Sequence, residues 1–151
     1  MSIPSKQACA ALGSLALAAG LAGCGETVST GSYSGESKAV AQRISEFQHD
    51  ATEASEKNIC SRDLSVRLRA TSIGASVEAC EAALKRQLKQ VEDVNLSVKS
   101  VSVHGNSATA TVKSTWSGKN CLSTMLLEKQ PSTAKKEGSA WKISGMQTSC
   151  K

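Results

Sequence analysis

Aromatic residues are scarce: Tyr33, Phe47, Trp116 and Trp141 are the only four in 151 residues. That argues against a nucleic-acid binder that stacks bases on aromatic platforms. No C-x-x-C pair occurs, and the two histidines, His49 and His104, fall in a helical segment and a turn. A zinc site and a thioredoxin-like dithiol are therefore not expected. A G-x-S-x-G nucleophile elbow, a phosphate loop and a dinucleotide fingerprint are all missing. What remains is a chain of one domain's length, 40% apolar, with a formal charge of +5 and six cysteines.

The first 23 residues read as a signal rather than as fold. Lys6 precedes an Ala- and Leu-rich apolar run from Ala8 to Ala19. Its 12 residues suit the core of a secretory signal and fall short of the about 20 needed to cross a bilayer. The run ends in Leu21-Ala22-Gly23-Cys24. This resembles the bacterial lipoprotein signal, which implies a diacylglycerol thioether on Cys24, cleavage before it and acylation of the new amine. Each buried methylene contributes about 0.8 kcal/mol, so two or three chains hold a domain at a bilayer. Cys9 lies in the discarded part. Lys6 is lost with the signal, so the mature side-chain charge is 17 minus 13, or +4. This mild excess is spread along the chain, with Lys135-Lys136 and Arg67/Arg69 the tight groups.

Residues 24–36 are rich in Gly, Ser and Thr and read as a flexible tether containing Tyr33. Residues 37–151 read as one domain. Val40, Ile44, Phe47, Ala51 and Ala54 recur at helical steps, predicting a helix from Ser37 to about Lys57. A second helix is expected over Ile59–Ala70, with Ile59, Cys60, Leu64 and Leu68 inward. A loop with Gly74 follows. Ser76 caps a third helix to about Gln90, with Val77, Cys80, Leu84, Leu88 and Val91 inward.

The period then changes to two. Asn95–Val103 reads as a strand whose phase slips near Lys99-Ser100, which predicts a bulge. His104-Gly105-Asn106 is a turn. Ala108–Trp116 alternates cleanly, with Ala108, Ala110, Val112, Ser114 and Trp116 on one face. After a turn at Ser117-Gly118, Cys121–Lys129 forms a third strand, with Met125-Leu126-Leu127 expected to be covered on both sides. A polar loop over Gln130–Ser139 leads to a last strand, Ala140–Met146, with Trp141 and Ile143 inward. No internal repeat is evident. Helices first and strands after predict an α+β domain, three helices packed on one face of an antiparallel sheet of about four strands.

After Cys24, Cys60, Cys80, Cys121 and Cys150 remain. In an exported domain an even count reads as two disulfides. Three pairings are open. Cys60–Cys80 is favoured because both residues face inward on consecutive helices. Cys121–Cys150 is favoured because antiparallel neighbours bring such strand ends together. Closed loops of 21 and 30 residues give each about 3 kcal/mol by chain entropy.

The helix ending in SEKNIC, then DLSVRLRA and SVEACEAALKRQL, the hairpin VKSVSVHGNSATATV and the closing GSAWKISGM together carry a family resemblance. Over residues 37–148 the chain resembles actinobacterial lipoproteins of the nuclear transport factor 2-like (cystatin-like, cone) superfamily. The resemblance implies a curved sheet wrapped by three helices around a conical pocket, and a Cys60–Cys80 bridge. Some members of that superfamily are ketosteroid isomerases and polyketide cyclases, which need a carboxylate base in an apolar pocket and donors for an enolate. Here Asp50 falls beside the apolar stripe of the first helix, Asp63 on a short exposed helix and Asp93 in a loop. No acid stands mid-strand on an apolar face. His104 and His49 read as solvated.

The sequence reading is thus a non-enzymatic domain, lipid-anchored at Cys24 to the outer face of the cell membrane. It binds a small apolar ligand or an envelope protein at the cone, with Val103, Val112, Trp116, Met125 and Trp141 lining the pocket. No cofactor, no metal and no nucleic acid are expected. The alternatives are an accessory subunit of an envelope complex and, last, a cyclase- or isomerase-type enzyme.

Overall fold

The computed structural model describes residues 30–89, 94–116, 119–130 and 141–150, with the Trp116 side chain left aside. Cys24, the signal, Val91, Asp93, the Ser117-Gly118 turn and most of the polar loop before Trp141 lie outside these residues. Among the described residues no helix is long and apolar enough to cross a membrane.

Helix α1 (Gly35–Thr52) starts two residues before Ser37, so Gly35 and Glu36 belong to the helix and not to the tether. It buries Val40, Ile44 and Ala51, and half-buries Phe47. The helix ends at Thr52 rather than near Lys57 because Ala54 sits at φ +50° and turns the chain; Ala54 is exposed, not inward. A residue that carries a Cβ is strained in that region, so Ala54 marks an enforced corner.

The expected second helix is instead a ten-residue motif run twice. Ser55 leads into α2 (Glu56–Asn58) and a π-turn, Ile59–Asp63; Ser65 leads into α3 (Val66–Leu68) and a second π-turn, Arg69–Ile73. Each π-turn closes with an i to i+5 hydrogen bond: Leu64 N donates to Ile59 O and Gly74 N to Arg69 O, at 3.0 and 2.8 Å. The extra residue per turn is why a 3.6-residue period fitted only part of the segment. Ser65 is buried, and its hydroxyl accepts from Leu68 N, capping the second unit. Helix α4 (Val77–Leu88) is capped as expected, with Ser76 Oγ accepting from Ala79 N.

Four strands follow: β1 (Asn95–His104), β2 (Ser107–Trp116), β3 (Lys119–Lys129) and β4 (Trp141–Cys150). They form an antiparallel sheet in the order β1-β2-β3-β4. Gly105, at φ +59°, and Asn106 make a two-residue hairpin turn of the kind that needs glycine at its first position. The bulge near Lys99 is present: Val98 pairs with Val112 and Ser100 with Thr111. A second bulge was not foreseen. Leu126 pairs with Gly145 and Leu127 with Ile143, so Ser144 is the extra residue and β4 continues to Cys150. That bulge keeps Ile143 and Met146 on one face although they are three apart.

The core lies between this sheet and the helical layer. Val40 and Ile44 of α1, Ile59, Leu64 and Leu84 meet Leu96, Ala110, Val112, Met125, Leu127, Trp141 and Ile143. Both disulfides are formed, Cys60–Cys80 and Cys121–Cys150, with Cα separations of 6.0 and 4.1 Å. The first ties the first π-turn to α4. The second joins residues already opposite each other in the ladder. At the free edge of β4, Leu64 bridges Ile143 and Ser65 N donates to Ile143 O at 2.8 Å, which covers part of the edge.

Candidate functional site

The register assigns every strand residue to one of two faces. The helix-facing wall carries Leu96, Val98, Val101 and Val103 of β1, Ala108, Ala110, Val112 and Ser114 of β2, and Cys121, Ser123, Met125 and Leu127 of β3. Trp141, Ile143, Met146, Thr148 and Cys150 complete it on β4. Of the five residues expected to line a pocket, Val103, Val112, Met125 and Trp141 are on this one wall; the fifth is Trp116. Val112, Met125 and Trp141 are core residues and Val103 packs at its margin; the Trp116 side chain is outside the described residues. Among the described residues the wall holds no acid and no base.

The wall is sealed at one end and open at the other. Trp141 is fully buried, and its indole N–H donates to Glu36 Oε2 at 2.6 Å. Lys129 Nζ bonds Glu36 Oε1 at 2.8 Å and lies 5.9 Å from the Trp141 ring centroid. The hydrogen bond from Lys129, then that from Trp141, hold the Glu36 carboxyl below its usual range. Toward the other end the character changes. Met125 is 1% exposed, yet Met146, its partner in the ladder, is 54% exposed. Beyond it Thr148 is also exposed, and its hydroxyl shares a 2.8 Å hydrogen bond with the buried Ser123. Ser114 and Cys121 lie opposite each other next to this pair. An apolar wall thus ends in a hydroxyl-bearing rim that solvent reaches at Met146 and Thr148.

A second cluster lies between α1 and the first π-turn. Asp63 is not on an exposed helix, as its sequence position suggests, but fully buried; so, nearly, is Asp50. Partners 12 to 20 residues away make this tolerable. Arg43 Nη1 donates to Asp63 Oδ1 at 2.8 Å and also pairs with Glu46 at 2.8 Å. Arg62 Nη2 donates to Asp50 Oδ2, and its Nε lies 3.5 Å from Asp63 Oδ1. Asn58 Nδ2 donates to Asp50 Oδ1 at 3.1 Å. Both oxygens of Asp50 are served by donors, whereas Asp63 Oδ2 is buried without one. Burial, and then a hydrogen bond and repulsion from Asp50, push the Asp63 carboxyl up to about 7, outweighing Arg43. Asp50 is held below its usual range: burial alone would raise it, but the hydrogen bonds from Asn58 and Arg62 prevail. Lys142 Nζ donates to the carbonyls of Ser61 and Arg62, at 3.1 and 2.7 Å, and fastens the same turn to β4.

No family model matches the chain, and no curated protein matches it. Among solved structures it is similar to a nuclear transport factor 2-like (NTF-2-like) protein of unknown function from Silicibacter pomeroyi. The TM-score is 0.51 at 15% identity, over 75% of this chain and 93% of that one. The fold is NTF-2-like.

Within this NTF-2-like fold several expectations change. Leu126 is not covered on both sides; its side of β3 faces out, and it is 41% exposed. The rim residues Ser123, Thr148 and Met146 escaped notice, although alternation through β3 places Ser123 in phase with Met125. The Arg43–Asp63 and Arg62–Asp50 pairs left no local signal, because their spacings reflect how the π-turn packs on α1. Among the described residues no group of three His, Cys, Asp or Glu is placed to hold a metal ion.

Proposed function

We propose that the protein is an envelope lipoprotein of the actinobacterial type. It is anchored through Cys24 on the outer face of the cell membrane and binds a small apolar ligand without catalysing a reaction. The ligand would lie on the helix-facing wall, entering past Met146 and Thr148. The observation that carries this reading is the change along that wall from Met125, buried, to Met146, exposed beside Ser123 and Thr148. Apolar lining with a few hydroxyls at the rim orients a ligand and offers no general base. Two disulfides fit an oxidising compartment, and Leu21-Ala22-Gly23-Cys24 supplies the route there.

The test is native mass spectrometry of the full chain extracted from membranes in detergent. A bound apolar molecule is expected on the native chain and absent from Met146→Glu, which puts a charge in the entrance. Equal ligand retention by both, or none on the native chain, contradicts the reading.

A second reading has its own observation. Leu122 and Leu126, 54% and 41% exposed, stand on the outer face of β3 beside Thr109, Thr111 and Thr124. This favours an accessory subunit that docks an envelope partner through the outer face of the sheet. Leu122→Lys would then abolish co-purification of that partner while Met146→Glu would not.

A further inference from the structure

Asp50 and Asp63 are the two buried acids among the described residues, and neither takes part in the wall described above. They come from different elements, α1 and the first π-turn, and one guanidinium reaches both: Arg62 Nη2 donates to Asp50 Oδ2 and its Nε lies 3.5 Å from Asp63 Oδ1. The donors around them are unequally shared. Asn58 and Arg62 serve both oxygens of Asp50, and Arg43 and Arg62 both address the same oxygen of Asp63. Asp63 Oδ2 is left buried with no donor, although an orphaned buried acceptor is costly. A proton on that oxygen would turn the orphaned acceptor into a donor, and the Asp50 carboxylate, held by the same Arg62, is the acceptor at hand.

We propose that Asp50 and Asp63 form a proton-operated clasp between α1 and the first π-turn, closed while the pair holds one proton and loosened when it holds none. The charged groups facing the pair are Arg43 and Glu46 from α1 and Arg62 from the turn. Lys142 reaches the turn's carbonyls from β4. Helix α2 adds Glu56 and Lys57, and α4 adds Glu78, Glu81, Lys85 and Arg86, all exposed or partly so. The strongest charges on the pair are Arg43 and Arg62, and they do not supply the missing donor. Opening the clasp loosens the turn that carries Cys60, so the junction to α4 loosens with it. A domain on the outer face of a cell meets external pH directly; that consequence rests on the proposed location, whereas the clasp itself does not.

The sign follows from the two carboxyls. Asp63 titrates higher folded, about 7, than unfolded, about 3.8, so its contribution is complete below pH 4 and is lost as pH rises through about 7. Asp50 is shifted the other way, and its contribution is lost only as pH falls through its own lowered value. Stability therefore falls between pH 5 and pH 8.

The experiment measures urea unfolding and amide exchange of the full chain at both pH values, for the native protein and for Asp63→Asn, whose amide donates to Asp50 without a proton. In the native chain, amide exchange at Ser55 and Leu64, corrected for intrinsic rates, rises about tenfold from pH 5 to pH 8, and the urea midpoint drops. In Asp63→Asn both changes are lost, which ties the pH response to this carboxyl. If Asp63→Asn does not fold, carbon NMR of the native aspartate carboxyls decides: a titration near 7 supports the clasp. A single step near 4 for Asp63, or the same pH response in Asp63→Asn as in the native chain, overturns it.

Discussion

In the sheet, Ala108, Ala110, Val112 and Ser114 meet Leu127, Met125, Ser123 and Cys121 in unbroken register. In the helical layer, Arg43, Asp50, Arg62 and Asp63 meet across 12 to 20 residues of chain, and Cys60 is bonded to Cys80. The sheet is held by many near-equivalent backbone bonds between neighbours in sequence. The helical layer is held by a few specific links, several of them charged and buried. Loss of one link should therefore matter far more in the helical layer than in the sheet, and substitutions in matched pairs measure how far that holds.

The largest effect is expected at Arg43. Arg43→Ala leaves Asp63 buried without its closest cation, which costs about 3 kcal/mol in urea unfolding at pH 8. The loss should shrink at pH 5, where Asp63 carries a proton. Next come the disulfides. Replacing Cys60 and Cys80 together by Ala lowers stability by about 3 kcal/mol, since no ladder holds these residues together once the bond is gone. Replacing Cys121 and Cys150 costs less, because hydrogen bonding of β3 to β4 already keeps the ends adjacent; equal losses would contradict the contrast.

Two glycines give a finer comparison. A Cβ at Gly74 would meet Ala79 C and Cys80 N, both backbone, at 2.8 Å, so Gly74→Ala should cost about 2 kcal/mol in thermal or urea unfolding. At Gly145 the nearest atom is Leu126 Cδ1, at 3.3 Å, the end of a side chain that is partly exposed and able to move. Gly145→Ala should stay within about 0.5 kcal/mol of the native chain. Between these two falls Ser76, where removing the hydroxyl in Ser76→Ala unfastens the α4 cap for about 1 kcal/mol.

The same contrast explains what could be read from the residues. Period-two alternation through Ala108–Trp116, the slip at Lys99 and Gly105 at the hairpin are local signals, and each foretold its element. The Ser76 cap and the pairing of four cysteines were equally legible. The segment after α1 was not. Ile59, Cys60 and Leu64 do face inward, but i to i+5 bonds replace the helix that their spacing suggested, and Leu68 is only half-buried. Asp63 looked solvated because its partner, Arg43, is 20 residues earlier. The bulge at Ser144 was hidden because nothing in Ile143-Ser144-Gly145-Met146 shows which strand residue is skipped. For the candidate site, alternation grouped Val103, Val112, Met125 and Trp141, which the register puts on one face of the sheet. The rim formed by Ser123, Met146 and Thr148 depended on β4 running on to Cys150, four residues past its expected end.

Export and acylation at Cys24 underlie the proposed location and role, and the intact mass of the chain extracted from membranes tests them directly. A chain that begins at Cys24, carries two or three acyl groups and lacks four hydrogens for two disulfides is the predicted result. A chain that retains Met1 with its thiols free, recovered without detergent, would contradict it.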